Sequence, residues 1–461
     1  TSTSTSTSTS TPPPPPPQRP PQLHPKDMEV IFLGTGSMIP TKERGTSSLL
    51  LRLSGECWMF DCGEGTQNKL QSTTAKLPAM SKIFITHLHG DHLYGLQGLL
   101  CGMGQARNSV YRAAVDGNST RKRSTRKPTV SEKVELYGPV GLRAYLRAIA
   151  EISFATFCPY VVHELVDVPR VLNNGKEVEI DRSTVHCSGE EPSLEYGEQH
   201  GGTQVERDAD GFWTVVDSKD GMLVRAAAMS HTVPTVGYVI EEPPTYGTLD
   251  VDQLRPLIHQ NYNALIESGT NDPMSIIRDI KLSEDDELYV LPDGTKLNPK
   301  DFRGPNKRGR KVAIMGDTSN ASKALKLALD ADLLIHECTN FTPSTDKNIE
   351  RKHEKTMSKR GHSVPRVAGA FARDARVKHL VMNHFSQQVR QRGDIQLIRE
   401  RAARAANLPL EKVDAAKDFL VVKIPFDNPK KKEKNISNEE WLSRRQQEER
   451  EEQNRVAANK T

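Results

Sequence analysis

The stretch Thr86-His87-Leu88-His89-Gly90-Asp91-His92 (THLHGDH) places three imidazoles and one carboxylate within seven residues. It follows the apolar run Ile83-Phe84-Ile85, which predicts a buried strand that ends where the histidines begin. The two histidines on either side of Leu88 then point the same way, because side chains two residues apart on a strand share a face. The aspartate and the last histidine open a helix, where neighbouring positions diverge by about 100°. The spacing therefore predicts parts of two metal sites.

Three further ligand-type residues stand directly after predicted strands. His231 lies in SHTVPTVGY, Asp317 in GDTSNA and His384 in NHFSQQ. A carboxylate can bridge two metal ions about 3.5 to 4 Å apart, and such a pair activates water as a nucleophile at neutral pH. Alone, each of these residues fits a structural role as well as a ligand role. Together with the first stretch they predict a binuclear hydrolase centre with seven ligands: His87, His89, Asp91, His92, His231, Asp317 and His384.

Strand-like and helix-like patterns alternate along most of the chain. KIFITH (82–87) and RKVAIMGD (310–317) contain short apolar runs typical of strands buried on both faces. VPRVAGAFARDA (364–375) has the apolar period of an amphipathic helix. Ligand-type residues repeatedly fall at the C-terminal ends of the predicted strands, which is where α/β proteins build their sites. We therefore expect an α/β catalytic domain over residues 28–426.

Four segments depart from this pattern. Residues 1–27 are Thr/Ser pairs followed by prolines, a low-complexity tail that cannot bury a core. Residues 427–461 are rich in charged side chains and predict a solvated helical or disordered tail. The polar stretches 105–133 and 167–221 are expected to be surface insertions, because such long loops in a compact domain are usually lids, functional loops or disorder.

Composition narrows the class of protein. The chain has 461 residues and a net charge of +4, which is too small by itself to argue for nucleic-acid binding. No apolar run approaches the roughly 18 residues of a membrane span, so we expect no membrane association. The six cysteines are scattered without a CxxC pair, as in reduced intracellular proteins. We expect an intracellular enzyme.

The ligand pattern and the motifs that flank it resemble those of ribonuclease Z, the tRNA 3′-processing endoribonuclease of the metallo-β-lactamase superfamily. The resemblance spans about Met28 to Pro425 and implies an αββα sandwich with surface insertions and disordered or helical tails. A single catalytic domain resembles the short form of the family, which usually works as a homodimer. The resemblance rests on the motifs LGTGSMIPTKERGTSS (33–48), FDCGEGTQ (60–67), SHTVPTVGY (230–238), MGDTS (315–319), HECTN (336–340), GHS (361–363) and NHFSQQ (383–388).

The resemblance implies a role for each ligand. One zinc ion would be held by His87, His89, His231 and Asp317, and a second by Asp91, His92, Asp317 and His384. Manganese can also occupy such His/Asp sites.

It also implies the catalytic groups. Asp91 would orient or deprotonate the attacking water. His336, backed by Glu337 in HECT, would protonate the departing 3′ oxygen, because an imidazole tuned by a carboxylate donates near neutral pH. The implied reaction removes the 3′ trailer from precursor tRNA and leaves a 3′-hydroxyl on the tRNA.

Contacts to RNA are predicted at two places. Lys42 and Arg44 stand in PTKERG, which resembles a family loop near the tRNA 3′ end, although Gly45 replaces the usual Asn. Arg308 and Arg310 stand in the basic run RGPNKRGRK, a candidate phosphate-contacting patch. The resemblance implies that the interval 243–311 is the exosite arm of the family, although this interval lacks a clear Gly-Pro motif. The run RGPNKRGRK is also consistent with a solvated loop.

Two alternative functions remain open at this point. One is another hydrolase of the same superfamily, such as an arylsulfatase or a small-molecule esterase. The HECT and GHS motifs disfavour this alternative function. The other is a non-catalytic RNA-binding protein, which the intact set of ligands disfavours.

Overall fold

In a computed structural model of the chain, the described residues are 28–53, 56–115, 133–180, 194–218, 220–283, 287–389 and 392–426. The predicted tails 1–27 and 427–461 lie outside them. A division of the chain into two compact units falls after Pro425. The second unit is almost wholly outside the described residues, so the fold below is that of the first.

One mixed sheet is built mainly from the N-terminal part of the chain. Within the described residues it has eight strands in the order β19-β1-β2-β3-β4-β5-β6-β9. The strands β3 to β6 run parallel to one another, and β1 and β2 pair antiparallel beside them. Its strands are β1 (Glu29–Gly34), β2 (Ser48–Leu53), β3 (Glu56–Phe60), β4 (Met80–Phe84), β5 (Val134–Pro139), β6 (Tyr160–Leu165), β9 (Gln204–Val205) and β19 (Val421–Lys423).

A second sheet faces the first. Over the described ranges it has seven strands in the order β10-β11-β12-β15-β16-β17-β18. The last four strands are parallel, so their C-terminal ends meet at one edge. Its strands are β10 (Phe212–Asp217), β11 (Leu223–Ala228), β12 (Val236–Glu241), β15 (Lys311–Ile314), β16 (Leu333–Glu337), β17 (Leu380–Asn383) and β18 (Val413–Ala415).

Helices cover the outer faces of both sheets. Two short hairpins, β7 (Arg170–Val171) with β8 (Glu177–Val178) and β13 (Tyr289–Val290) with β14 (Lys296–Leu297), lie outside the main sheets. The helices are α1 (Thr66–Gln71), α2 (Gly90–Leu93), α3 (Leu96–Val115), α4 (Leu142–Ser153), α5 (Val251–Gln260), α6 (Tyr262–Glu267), α7 (Ile276–Leu282), α8 (Leu325–Ala328), α9 (Lys347–Lys359), α10 (Pro365–Asp374) and α11 (Arg392–Ala406).

Three apolar layers hold this arrangement together. The central layer joins the inner faces of the two sheets and includes Phe84 and Tyr238, whose rings pack at 5.3 Å. A second layer packs α1, α3 and α4 on the first sheet, and a third packs α8, α10 and α11 on the second. Burial of apolar side chains between successive layers is the main stabilising term of such a sandwich. The expected αββα sandwich is therefore confirmed.

The two predicted insertions are more ordered than expected where they are described. Helix α3 continues to Val115 and thus enters the stretch 105–133, of which 116–132 lies outside the described residues. The stretch 167–221 is not wholly an insertion, because β10 is an edge strand of the second sheet. Trp213 in that strand is fully buried and donates a hydrogen bond to the Val166 carbonyl. The surrounding acidic residues hid this strand in the sequence.

The interval 243–311 forms a small unit with its own apolar core. Helices α5, α6 and α7 and the hairpin β13–β14 pack around residues such as Leu254, Ile258 and Ile280. The chain leaves the second sheet after Glu241 and returns at Lys311, which is the residue paired with it. The unit therefore joins the sheet at the N-terminal end of β15, the end opposite to Asp317. Among the described residues, no helix combines the length and the apolar character that crossing a membrane requires.

Candidate metal centre and active site

The seven predicted ligands converge where strand ends of the two sheets meet. His87 follows β4 in the first sheet, and His231, Asp317 and His384 follow β11, β15 and β17 in the second. A backbone hydrogen bond of 3.0 Å from Val236 to the Thr86 carbonyl joins the two sheets beside this edge. The parallel packing of strands thus gathers residues that are up to 297 positions apart, from His87 to His384.

One group of donors consists of His87, His89 and His231. Nε2 of His87 lies 3.1 Å from Nδ1 of His89, and Nε2 of His231 lies 3.3 Å from the same atom. Burial lowers the pKa of His231 to about 4, so this imidazole is neutral near pH 7 and offers a free lone pair.

A second group consists of Asp91, His92 and His384. Nε2 of His92 lies 3.2 Å from Nε2 of His384, which is itself 3.4 Å from Oδ2 of Asp91. Burial favours the neutral carboxyl, but the hydrogen bond from His384 and the nearby His92 hold the pKa of Asp91 well below its usual range. Asp91 is therefore ionised at any physiological pH.

Asp317 lies between the two groups. Its Oδ1 is 3.4 Å from Nε2 of His92, and its Oδ2 is 3.3 Å from Nε2 of His384. The same Oδ2 lies 3.9 Å from Nε2 of His87 and 4.0 Å from Nε2 of His231. Burial opposes the charge, but the surrounding imidazoles hold the pKa of this carboxyl well below its usual range. A carboxylate in this place can serve both groups at once.

Hydrogen bonds from outside the cluster fix the imidazole rings. Nδ1 of His92 lies 2.7 Å from Oδ2 of Asp61, and Asp61 also accepts hydrogen bonds from the backbone and hydroxyl of Thr86. Nδ1 of His231 lies 2.8 Å from the carbonyl of Gly361, which adopts φ 82. Nδ1 of His384 lies 2.9 Å from Oγ1 of Thr339. Such partners leave the opposite ring nitrogen free and aimed inward.

The donor set fits two metal ions. In each three-donor group the ligand atoms lie within 4.8 Å of one another. Two ligands of a tetrahedral zinc ion, at about 2.05 Å each, are about 3.3 Å apart, which matches the separations of 3.1 to 3.3 Å between the inward nitrogens. Nitrogen and carboxylate donors in this mixture suit zinc, and also manganese.

The structure does not place His336 in this cluster, which corrects the role predicted for it. Its ring packs 5.7 Å from the Phe371 ring in the layer between sheet and helices, and its Nδ1 lies 2.8 Å from the backbone oxygen of Glu337. Successive residues of a strand face opposite sides, so Glu337 points into the site and His336 points away from it. The orientation of His336 therefore does not support its predicted role as the acid, whereas Glu337 lies in the site as expected.

His362 takes the place that was predicted for His336. Its Nδ1 lies 3.1 Å from Oε1 of Glu337 and 3.8 Å from Oδ2 of Asp317, and its side chain is 19% exposed. Burial lowers the pKa of His362, but the charges of Glu337 and Asp317 outweigh burial and raise it to about 9. His362 belongs to the GHS motif. Its sequence position did not link it to the metal ligands, because it lies on a loop after α9.

Glu337 is held firmly in this pair. Its Oε1 accepts hydrogen bonds from the backbone of Thr318 and Ser363, and its Oε2 from the backbone and hydroxyl of Thr339. The nearby His362 and His384 outweigh the effect of burial and lower the pKa of Glu337. The carboxylate therefore stays charged and orients His362.

The predicted RNA contacts fall into two classes. Lys42 is exposed, whereas Arg44 is half-buried and donates hydrogen bonds of 2.7 Å to Oγ1 of Thr35 and to the Ala416 carbonyl. The guanidinium of Arg44 also lies 4.7 Å from the centre of the Phe385 ring. Arg44 thus braces its loop, and Lys42 alone of the two presents its charge to solvent.

The role predicted for Arg310 also needs correction. Its side chain is 2% exposed and binds both carboxylate oxygens of Glu242 at 2.7 Å, together with the Ile424 carbonyl. Arg308 is 42% exposed and pairs with Asp332. Both arginines precede β15 and so lie at the end of that strand opposite Asp317. A buried ion pair, not a phosphate patch, explains Arg310.

Comparison with known proteins identifies a matching family model and several similar proteins. A family model described as Anti-Pycsar protein Apyc1 matches residues 28–112. The chain is 36% identical to mouse zinc phosphodiesterase ELAC protein 1, over 87% of this chain and 99% of that protein. It is 31% identical to ribonuclease Z of Streptococcus suis, over 86% of this chain and 100% of that protein.

A solved structure of a similar protein supports the same family. The human tRNase Z short form (ELAC1) superposes with a TM-score of 0.51 at 27% identity, covering 87% of this chain and 100% of that one. The similarity therefore extends over the whole length of the relatives and includes both sheets. The chain belongs to the ribonuclease Z family.

Proposed function

We propose that the protein is a zinc-dependent endoribonuclease that removes the 3′ trailer from precursor tRNA. The carboxylate of Asp317, placed between two groups of three donors, is the observation that carries the proposal. Two adjacent cation sites are the arrangement that hydrolyses phosphodiesters by in-line displacement. Relatives named ribonuclease Z and tRNase Z support RNA as the substrate.

The ligand assignment follows from the groups. His87, His89, His231 and Asp317 would hold one zinc ion, and Asp91, His92, Asp317 and His384 the other. When bound, the ions lower the pKa of water and stabilise charge on the phosphoryl oxygens.

Asp91 orients the attacking water and accepts its proton. Its carboxylate is ionised, and its side chain is 12% exposed at the edge of the cluster. A general base must be deprotonated before the reaction and within reach of the proton it removes. Asp91 meets the first requirement, and its place in the second donor group supports the other.

His362 protonates the departing 3′ oxygen of the tRNA. An alkoxide leaves slowly unless it gains a proton, and the raised pKa of His362 keeps this imidazole charged near pH 7. Glu337 positions the ring through Nδ1, which leaves Nε2 available to the substrate. Proton transfer from Nε2 then yields a 3′-hydroxyl on the tRNA and a 5′-phosphate on the trailer.

We also propose contacts to the tRNA and an oligomeric state. Lys42 contacts the phosphates near the tRNA 3′ end, and the unit formed by 243–311 acts as the exosite arm. The similarity to the short form supports a homodimer, which sedimentation of the purified protein would measure.

One experiment tests the proposal directly. Purified protein is incubated with zinc and a tRNA that carries a 3′ trailer, and the cut is mapped to the nucleotide. We expect cleavage on the 3′ side of the acceptor stem, with no cleavage by Asp91→Ala. Hydrolysis of an aryl sulfate or a simple ester without cleavage of the RNA would favour the superfamily alternative. RNA binding with less than about one zinc per chain would favour a non-catalytic protein.

A further inference from the structure

A cavity of about 740 Å³ opens between α9, α10 and α11 on the outer side of the second sheet. Its volume falls in the range of about 300 to 1,000 Å³ that is typical of ligand sites. The metal centre lies elsewhere, since none of its seven candidate ligands lines this cavity.

The cavity is nevertheless close to the candidate acid. Phe341 and Thr342 in its wall follow Thr339 by two and three residues, and Val364 follows His362 by two. A chain spans at most about 3.6 Å per residue, so these wall residues lie within about 11 Å of the cluster around Glu337. Arg401 ties the wall together by donating a 2.6 Å hydrogen bond to the Ser344 carbonyl. The cavity therefore lies next to the active site, beyond His362 and Thr339.

The charge of the cavity favours an anion. Its wall carries five cationic side chains against three acidic ones: Lys347, Arg351, Arg366, Arg401 and Arg404 against Glu350, Glu354 and Glu400.

Two of the cations are already paired, since Arg366 binds Glu354 and Arg401 binds Glu350. Within the described part of the chain, Lys347, Arg351 and Arg404 form no ion pair or hydrogen bond through their side chains, and all three are exposed. Unpaired arginines that face a cavity are the groups that best recognise phosphate, because the planar guanidinium can bind two oxygens at once.

We infer that this cavity binds the phosphodiester backbone of the RNA on the 5′ side of the scissile bond, that is, the acceptor strand of the tRNA itself. The inference rests on the proposed function. His362 gives its proton to the 3′ oxygen, and that oxygen stays with the tRNA. The nucleotides on the His362 side are therefore those of the tRNA.

Helix α9 supplies a matched pair of variants for the test. Lys347→Ala with Arg351→Ala removes two cations that line the cavity. Lys352→Ala with Lys355→Ala removes two exposed cations from the same helix that do not line it. Both double variants change the net charge equally and keep helix propensity. Thermal unfolding would check that both remain folded, and Arg404→Ala repeats the test from α11.

The affinity for RNA is measured in an Asp91→Ala background, with one precursor carrying a single-nucleotide trailer and one carrying a long trailer. We expect the cavity variant to bind both precursors about tenfold more weakly. Its slope of log K against log salt should be shallower by about 1.4 to 1.8, as for two lost phosphate contacts. The control variant should lose much less affinity.

Three results would overturn the inference: an equal loss in the control variant, no loss in the cavity variant, or a loss confined to the long trailer. Failure of the proposed function would be distinguishable, because then the unmodified protein would not cut the precursor at the expected bond. Cleavage at that bond together with normal RNA affinity of the cavity variant would reject this inference alone.

Discussion

The backbone N–H of Met38 donates a hydrogen bond of 2.6 Å to Oδ2 of Asp91. Met38 adopts φ 67, a left-handed conformation that is uncommon for a residue with a side chain, and that side chain is 77% exposed. The loop that carries it is anchored by Arg44 and by Asp418, which accepts a hydrogen bond from the backbone of Gly45. The loop after β1 thus braces the carboxylate that we assign as general base.

This bracing predicts opposite results for two substitutions. Met38→Gly keeps the N–H and accommodates the left-handed conformation, so RNA cleavage should stay within about threefold of the unmodified protein. Met38→Pro removes the N–H and cannot adopt this φ. Losing a hydrogen bond to a charged group costs about 1.5 to 3 kcal/mol, so kcat should fall about ten- to a hundredfold. Unchanged turnover in a folded Met38→Pro variant would show that the loop does not brace Asp91.

The pair of His362 and Glu337 predicts the pH dependence of cleavage. The acid must be protonated, so activity is lost as pH rises through the pKa of His362, which Glu337 helps to raise to about 9. In Glu337→Gln the negative charge is gone, the pKa of His362 falls, and the alkaline limb of kcat against pH should move to lower pH. A profile measured on trailer-bearing tRNA would show this. An unmoved alkaline limb would remove His362 from the role of acid.

The choice between the two histidines can be tested by a pair of variants. His362→Ala should lower kcat about a hundredfold or more, as expected for loss of a general acid, with little change in RNA affinity. His336→Leu should retain turnover, because His336 packs against Phe371 in an apolar layer. If a folded His336→Leu variant lost turnover while His362→Ala kept it, the original prediction for His336 would be restored.

Short local patterns predicted an α/β domain and the meeting of seven ligand-type residues, whereas the αββα sandwich was implied by the resemblance to a known family. His87 and His89 share a face because they directly follow a strand. Asp317 reaches the same place because it follows one of the parallel strands of the second sheet. Catalytic roles were predicted for both His336 and Glu337, and separating the two required knowing which face of β16 points inward. An apolar strand buried on both sides carries no alternation to show this.

Other features were hidden because their partners are distant in the chain. Arg310 stands in a run of basic residues that looks solvated, and only the fold brings Glu242 to it. His362 lies on a loop whose position depends on the packing of α9 and α10. Residues 212–217 are flanked by acidic residues, yet they pair with β11 to extend a sheet. Long-range contacts, not local propensity, decide such cases.

The buried pair of Arg310 and Glu242 predicts an effect on stability. Arg310→Ala leaves an unpaired buried carboxylate and should destabilise the protein by about 3 to 5 kcal/mol, measured by urea unfolding. Arg308→Ala, at an exposed pair, should cost less than about 1 kcal/mol. Replacing both members, as Arg310→Met with Glu242→Leu, should recover most of the loss. Equal and small effects of the two arginine variants would argue that Arg310 is not held as the structure shows.

The position of Asp317 predicts how the protein binds zinc. Because this carboxylate lies 3.3 Å from His384 and 3.4 Å from His92 while also facing the other histidine group, Asp317→Asn should weaken both sites together. Elemental analysis should give about two zinc ions per chain before the change and fewer than one after it. In the unmodified protein, added zinc should raise Tm, because a ligand that binds only the folded state stabilises it. His379→Gln, at a histidine paired with Asp414 away from the cluster, serves as the control and should keep both ions. A variant of Asp317 that still bound two zinc ions would mean that the two groups are separate sites without a shared carboxylate.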